Sequence, residues 1–398
     1  MNKNSNQIRT VKRGMQNEQI GGRKIGSGGF GCVVTPSVKC KKKIKHDDDK
    51  LVSKLLYGKL DSEGRQALAE EMEVYRVLRM IDKKQQNYIY PLEYCFIDNP
   101  QKVLSRDDIE VVKFPRLLFG KSEYSYYIDK SGKTRKISDH DKKCYIDTSI
   151  KPINIIYEYG GIGFDKLIFD KSGAVYKSFL RDNMKKIFYK LLSALGELHR
   201  NGIVHSDIKP ENVLLMPPKK IDGKWIYKLE NIRYIDFGMS FKVEKHYMKH
   251  IYSNQGTEIP LDMFLAESIK KYAMHNISSL VRNLRYENEF LEDIWNGFNN
   301  DDVKVLVETI NKTIRNREYE AAYYKKIDGI IYKADIYSLG MLFAFYIVQL
   351  RINITKEIHN LLYNMLNVNP WQRYNIEQCL AHPFLVKNSL LNYNFFKL

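Results

Sequence analysis

The chain has 398 residues, of which 44% are hydrophobic and 28% charged, with 28 Tyr and 18 Phe. That much apolar and aromatic material builds a sizeable core, in one large domain or a few small ones, and excludes a disordered chain. Lys and Arg outnumber Asp and Glu by 64 to 47, a formal charge of +17, which favours anionic partners but decides neither fold nor function.

Residues 1–19 are polar and unpatterned and read as a flexible tail with no apolar leader stretch. Asn2 stands where N-myristoylation would need a glycine, so that modification is not expected. From Ile20 to Leu56 the pattern is that of β-strands around a glycine-rich turn, IGSGGFGCVV (Ile25 to Val34). Gly26, Gly28 and Gly31 form G-x-G-x-x-G, which lets a backbone approach phosphates closely and aim N–H groups at them. A dinucleotide-binding turn would open a helix; here a strand-like segment follows and ends at Pro36, which favours a β-hairpin flap. KCKKKIKHDDDK (Lys39 to Lys50) is basic and then acidic, and reads as a solvated loop or as a localisation or docking patch. Lys54 follows within an apolar alternation, KLVSKLLYG, that predicts a strand.

The spacing of Leu68, Met72, Tyr75, Leu78 and Ile81 predicts a helix over Glu63 to Ile81, carrying Glu70, Glu71 and Glu73. Ile89 to Ile97 and Ile153 to Tyr159 are expected strands. The stretch about 98–150 between them is too long for a hairpin loop and reads as an insertion with its own strand-like pieces, Val111 to Phe119 and Tyr124 to Ile128. From Lys177 onward the pattern is mostly helical. The apolar run Met341 to Leu350 is about half the roughly 20 residues a bilayer span needs, and is expected to be a core helix. A β-rich first part and a helical second part predict an α+β, two-lobed molecule.

Five cysteines (Cys32, Cys40, Cys95, Cys144 and Cys379) are odd in number and show no Cys-x-x-Cys spacing. The pattern argues against a secreted disulfide framework or a structural zinc site, and for an intracellular, cytoplasmic protein.

The decisive segment is IVHSDIKPENVLL (Ile203 to Leu215), followed by YIDFG with Asp236, Phe237 and Gly238. Phosphoryl transfer calls for such a set: one carboxylate to orient the attacking hydroxyl, an amide and a second carboxylate to hold Mg²⁺, and a lysine to neutralise phosphate charge.

These segments resemble the signature set of eukaryotic-type protein kinases over about residues 20–390, outside the insertions. The resemblance implies a bilobal protein-kinase fold, with an N-lobe over 20–160 and a helical C-lobe over 161–398 that carries a second insertion at about 262–330. It implies ATP and Mg²⁺ as cofactors and protein substrates as partners. Asp207 would be the catalytic base and Lys209 the γ-phosphate contact, with Asn212 and Asp236 as magnesium ligands. Ile25, Gly26, Ser27, Gly28, Gly29, Phe30, Gly31 and Val33 would cover the nucleotide, and Lys54 would anchor its α- and β-phosphates. Glu71 is the first choice for the carboxylate that holds Lys54, with Glu70 and Glu73 as rivals. Tyr157 would be the gatekeeper, and the backbone from Glu158 to Gly160 would meet the adenine.

Lys209 within D-I-K-P-E-N resembles serine/threonine kinases more than tyrosine kinases. Asp335, in KADIYSLGMLFAFY, would brace the catalytic loop and cap its helix, and Arg373 would be a structural arginine paired with Glu258 or Glu267.

Two features depart from the family pattern. Ser206 replaces the arginine that binds a phosphorylated activation loop, so activity is expected not to need that phosphorylation. No Ala-Pro-Glu follows Gly256 and Thr257. The Lys/Asn/Ile/Tyr-rich composition, the Glu-Tyr-Gly-Gly hinge, Ser206 and the insertions together resemble kinases of large DNA viruses, which would place the protein in host cytoplasm or virion. The competing readings are a pseudokinase scaffold, a small-molecule phosphotransferase and a nucleic-acid-binding protein. The intact Lys54, Asp207, Asn212 and Asp236 oppose the first, the D-F-G and glycine flap oppose the second, and the lack of a binding module opposes the third.

Overall fold

The computed structural model describes residues 23–28, 31–40, 50–56, 62–98, 100, 104, 109–112, 126–129, 131–136, 143–147, 151–169, 174–216, 219–221, 224–226, 232–243, 330–367 and 370–386. The expected tail at 1–19 and the second insertion as far as residue 329 lie outside them, as do Gly256, Thr257, Glu258 and Glu267. The chain forms two compact units, residues 1–60 with 91–159 and residues 61–90 with 160–398.

The first unit is built on a five-stranded antiparallel sheet. Its strands are β1 (Arg23–Gly28), β2 (Gly31–Thr35), β3 (Leu51–Leu56), β4 (Glu93–Phe96) and β9 (Ile153–Glu158), in the spatial order β1-β2-β3-β9-β4. Leu51, Val52, Leu55, Ile155 and Ile156 are buried, so the apolar alternation read from the sequence is the core pattern of β3 and β9. The strand expected over Ile89 to Ile97 is shorter: Ile89 donates its N–H to Tyr234 O in the second unit, and ladder pairing starts at Glu93.

Between β4 and β9, β5 (Ile109–Val112) pairs in parallel with β8 (Cys144–Asp147), and β6 (Tyr126–Ile128) forms a hairpin with β7 (Thr134–Lys136). The Asp129 carboxylate closes that hairpin by accepting from Ser131 N, Ser131 Oγ, Lys133 N and Arg135 Nε. The expected strand over Val111 to Phe119 overlaps β5 at Val111 and Val112, its remainder lying outside the described residues, and Ile109 and Val112 fill core positions.

Two disulfides run against the expectation of no disulfide framework. Cys32 pairs with Cys144 and Cys40 with Cys95, at Cα–Cα separations of 6.0 and 5.9 Å, leaving Cys379 as a buried free thiol. The Cys32–Cys144 pair joins β2 to β8 inside a cluster with Val34, Val38, Leu55, Ile97, Ile109 and Ile146. Asn154 Nδ2 lies 3.8 Å from both Cys40 Sγ and Cys95 Sγ while donating to Val38 O. Odd count and wide spacing could not reveal pairs set by strand register.

The second unit is mainly helical: α1 (Ser62–Ile81), α2 (Phe164–Phe169), α3 (Ala174–Arg200), α4 (Ile330–Gln349), α5 (Lys356–Met365), α6 (Ile376–Leu380) and α7 (Pro383–Val386). The apolar stripe of α3 packs on α4, where Phe188 stacks on Phe343 with ring centroids 3.5 Å apart. Tyr346 Oη donates to Leu180 O at 2.6 Å, and Arg181 Nε donates to Leu350 O at 2.8 Å. Among the described residues, Ile331–Gln349 is the one helix long and apolar enough to cross a membrane, and 67% of that window is buried in the unit's own core.

Small sheets lie beside the helices. β10 (Ile162–Gly163), β12 (Val213–Leu215) and β15 (Ile232–Tyr234) form one; β11 (Ile203–Val204) with β16 (Phe241–Lys242), and β13 (Lys219–Ile221) with β14 (Lys224–Ile226), form two more.

Candidate active site

Residues 203–215 leave β11, turn through a short 3₁₀ segment at Pro210–Asn212 and enter β12. Asp335 holds the start of this loop. Its Oδ2 accepts from His205 N at 2.8 Å and lies 3.1 Å from His199 Nε2, and its Oδ1 accepts from Ser206 N at 2.9 Å. Asp335 is 1% exposed, and two backbone amides plus an imidazole offset the cost of burying its charge. It lies in the second turn of α4, so it braces the loop and is not a cap. Ser206 takes φ 62°, a left-handed conformation that the two amide bonds fix in place.

This bracing sets the next three polar side chains. Lys209 Nζ donates to both Asp207 carboxylate oxygens at 2.9 Å. Asn212 Nδ2 donates to Asp207 O and to Asp207 Oδ2, each at 2.8 Å. Burial pulls the Lys209 pKa down, but the hydrogen bond and charge of Asp207, with Asp236 and Glu211, outweigh it and raise the value above the ordinary lysine one. Lys209 therefore stays an ammonium. Asn212 is 5% exposed, and using its N–H₂ on Asp207 leaves its carbonyl oxygen as the acceptor.

Ile235 N donates to Asn212 O at 3.0 Å, which carries Asp236 to the same loop. Asp236 has φ 59°. Phe237 is fully buried, with Tyr75 and Tyr88 at 6.0 Å and His205 at 4.8 Å between ring centroids, and Ser240 Oγ donates to His205 O at 2.9 Å. A Cβ built on Gly238 would lie 3.4 Å from Asp236 Oδ1 and 3.8 Å from Glu71 Oε2. Of the three rival glutamates, Glu71 thus lies beside this segment, while Glu70 accepts from Gln66 Nε2 one turn back along α1.

The turn after α1 is tied to the same unit. Asp82 accepts from Gln86 N, Asn87 N and Tyr88 N, and Tyr88 Oη donates to Ala194 O and Glu197 Oε2 of α3. Sequence reasoning did not single out Asp82, Tyr88, His199 or the hydroxyl of Tyr75. The partners of Tyr88 and His199 lie more than 100 residues away. Tyr75 stands four residues from Glu71, a spacing that was legible.

The remaining expected residues belong mostly to the first unit. Ile25, Gly26, Ser27 and Gly28 lie on β1, and Gly31 and Val33 on β2, with Gly28 opposite Gly31; Gly29 and Phe30 lie outside the described residues. Lys54, on β3, stands opposite Val33 on one side and Ile155 on the other. Tyr157 and Glu158 end β9 opposite Val52 and Leu51. Gly160 opens the second unit, and a Cβ there would collide with the Ile89 and Leu214 side chains. Lys54 belongs to the first unit, and Asp207, Lys209, Asn212, Asp236 and Glu71 to the second.

Asn212 and Asp236 supply an amide and a carboxylate oxygen, hard donors that fit Mg²⁺. Among the described residues no cluster of three or more His, Cys, Asp or Glu could hold a metal alone. A two-ligand protein site suits an ion completed by phosphate oxygens and water.

Residues 143–259 match the protein kinase domain family. Over part of its length the chain is similar to eukaryotic-type protein kinases. A probable myosin light chain kinase of Dictyostelium discoideum is 26% identical over 244 residues, 58% of this chain and 59% of that protein. An Aurora kinase of Schizosaccharomyces pombe is 24% identical over 260 residues, covering 61% and 57% of the two chains. Calcium-dependent protein kinase 4 of Plasmodium falciparum is 35% identical over 98 residues, 25% of this chain and 16% of that one. Of the first two of these relatives the chain spans 59% and 57%, little more than half of their length. The matched segment takes in β8, β9, α2, α3, the loop with Asp207 and the turn with Asp236.

Proposed function

We propose that the protein is an ATP- and Mg²⁺-dependent protein kinase that phosphorylates Ser and Thr hydroxyls of protein substrates. The observation that carries this reading is the Asp207 carboxylate, held by Lys209 Nζ and Asn212 Nδ2 on a loop fixed by Asp335. So oriented, Asp207 accepts the proton of an attacking hydroxyl, and Lys209 neutralises charge on the transferring phosphoryl group. Asn212 and Asp236 would hold Mg²⁺, which would supply positive charge against the charge that develops on the transferring phosphoryl group. In the first unit the β1–β2 glycine turn supports backbone contact with phosphates, and Lys54 supports pairing with them. The Ser/Thr preference is supported by Lys209, two residues after Asp207, and by the name of one relative, a probable serine/threonine-protein kinase of Dictyostelium discoideum.

The test is γ-phosphate transfer from ATP·Mg²⁺ to generic acidic and basic proteins by wild type and Asp207→Ala, with phosphoamino-acid analysis. Label on Ser or Thr that falls at least ~100-fold in the variant is expected. Nucleotide binding without transfer in either protein would favour a scaffold.

A further inference from the structure

Residues 36–40 leave β2 and cross one face of the five-stranded sheet, fastened to each of three further strands in turn. Val38 N donates to Ser53 Oγ of β3 at 2.8 Å, Asn154 Nδ2 of β9 donates to Val38 O at 2.8 Å, and Cys40 is bonded to Cys95 of β4. Strand alternation puts Ser53, Leu55, Asn154 and Cys95 on the face opposite Lys54, so this strap lies away from that lysine. Val38 is 1% exposed and packs in the cluster that holds the Cys32–Cys144 pair.

The two disulfides differ in access. Cys32 and Cys144 are fully buried, whereas Cys40 and Cys95 are partly exposed, with Cys95 on the edge strand β4 between the exposed Tyr94 and Phe96. A thiolate from solution therefore meets the Cys40–Cys95 bond first. Asn154 singles out the same bond. It is fully buried, and its Nδ2 lies 3.8 Å from both sulfurs. The bond to Val38 O fixes the direction of the amide, and among the described residues Asn154 Oδ1 has no hydrogen-bond partner. A disulfide offers that oxygen nothing, while a neighbouring thiol offers an S–H. The N–H₂ group also suits a thiolate better than a disulfide sulfur, because a charged acceptor takes the stronger hydrogen bond. Both ends of the amide thus favour the opened pair.

We propose that Cys40–Cys95 is a thiol–disulfide exchange site, a latch opened by a dithiol reductant, with Asn154 tuning it and residues 36–40 as the part it releases. The inference goes beyond phosphotransfer and does not depend on it. One thiolate of the reductant attacks a sulfur of the pair, forming a mixed disulfide and expelling the other sulfur as a thiolate. The second thiolate of the reductant then displaces the remaining protein sulfur. Two electrons and two protons pass to the protein, and the reductant leaves as its own disulfide. With the latch open the strap loses its covalent tie to β4, and departure of Val38 uncovers Cys32–Cys144. The first unit therefore loses its two disulfides in a fixed order.

The experiment places the oxidised full chain in dithiothreitol buffers of graded strength, quenches by alkylation and maps the labelled peptides. Cys40 and Cys95 are expected to be labelled together, at least about tenfold faster than Cys32 and Cys144, with the buried Cys379 unlabelled while the chain stays folded. In Asn154→Leu the midpoint is expected to move about tenfold towards the disulfide, equal to about 30 mV. A side chain that served packing alone would shift the melting temperature without moving that midpoint.

Amide hydrogen exchange reads the strap itself. In the double variant Cys40→Ser, Cys95→Ser, which lacks the latch, the Val38 N–H is expected to exchange roughly fivefold faster or more, with α3 unchanged. Reduction of Cys32–Cys144 in that variant is expected to speed up by a similar factor. Simultaneous labelling of all four cysteines in the wild-type chain would overturn the latch, and this order is read whether or not Asn154→Leu folds. An unmoved midpoint in Asn154→Leu would overturn the role of its amide, and unchanged Val38 exchange in the double variant would overturn release of the strap.

Discussion

His205 shows how one enclosed side chain ties the site to pH. It is fully buried, with the rings of Phe237 and Tyr234 at 4.8 and 5.6 Å and the Asp335 carboxylate on its amide. Burial lowers its pKa below the ordinary 6.5, against the raising effect of Asp335, Asp207 and Asp236. The folded imidazole thus stays neutral where the unfolded one takes up a proton. The stability tied to this group is fully present above about pH 6.5 and is lost as pH falls from there towards the lower folded value. Melting temperatures measured from about pH 5 to 8 are expected to drop on the acid side, and to drop less in His205→Asn; parallel curves would contradict this. At this scale Asp207, Lys209 and Asn212 were legible because one short stretch of chain holds all three. His199 and Asp82 were not, because a histidine at a helix end or an aspartate in a turn looks like ordinary surface until its partners are known.

Strand β2 makes the sharpest case among the elements. A Cβ on Gly31 would collide with Leu55 O, a backbone atom that cannot step aside without parting β2 from β3. Gly26 differs, since a Cβ there meets only Val33 Cβ at 4.0 Å. Gly31→Ala is expected to lower unfolding free energy by about 3 kcal/mol and Gly26→Ala by under about 1 kcal/mol, read from urea titrations. Equal effects would mean that β2 and β3 do not approach this closely. The glycine spacing was plain in the sequence, but which glycine answers to strand packing and which to loop chemistry was not. Helix α1 was legible nearly to the residue, since its 3.6-residue apolar stripe is a local property. The expected strand over Ile89 to Ile97 was only partly so, because Ile89 N donates to Tyr234 O, and Tyr234 N to Asn87 O, instead of continuing a ladder.

For the molecule as a whole, four of five cysteines are tied, and both ties lie in the first unit. Unfolding without reductant followed by alkylation is expected to label one thiol per chain, at Cys379; prior reduction should expose all five. The linked residues are 112 and 55 positions apart, and closing loops of this size stabilises by about 2–5 kcal/mol each. Reduction is therefore expected to lower the melting temperature, and full labelling without reductant would refute the pairing. The two-part plan of strands then helices was legible from composition and period, whereas the tie between β2 and β8 depends on contacts that no local pattern announces.

The discontinuity of the two units has a consequence for synthesis on the ribosome. Residues 61–90 are made between the two halves of the first unit but belong to the second. Val74, Tyr75 and Leu78 of α1 share a core with Leu191, Leu195 and Leu198 near the end of α3. At roughly 5–20 residues per second, α1 emerges on the order of ten seconds before that partner surface exists. Strand β9, flanked by β3 and β4 in the finished sheet, is likewise the last of its five strands to be made. A nascent chain therefore carries an uncovered apolar helix and an incomplete sheet at the same moment, the interval in which a chaperone has most to hold.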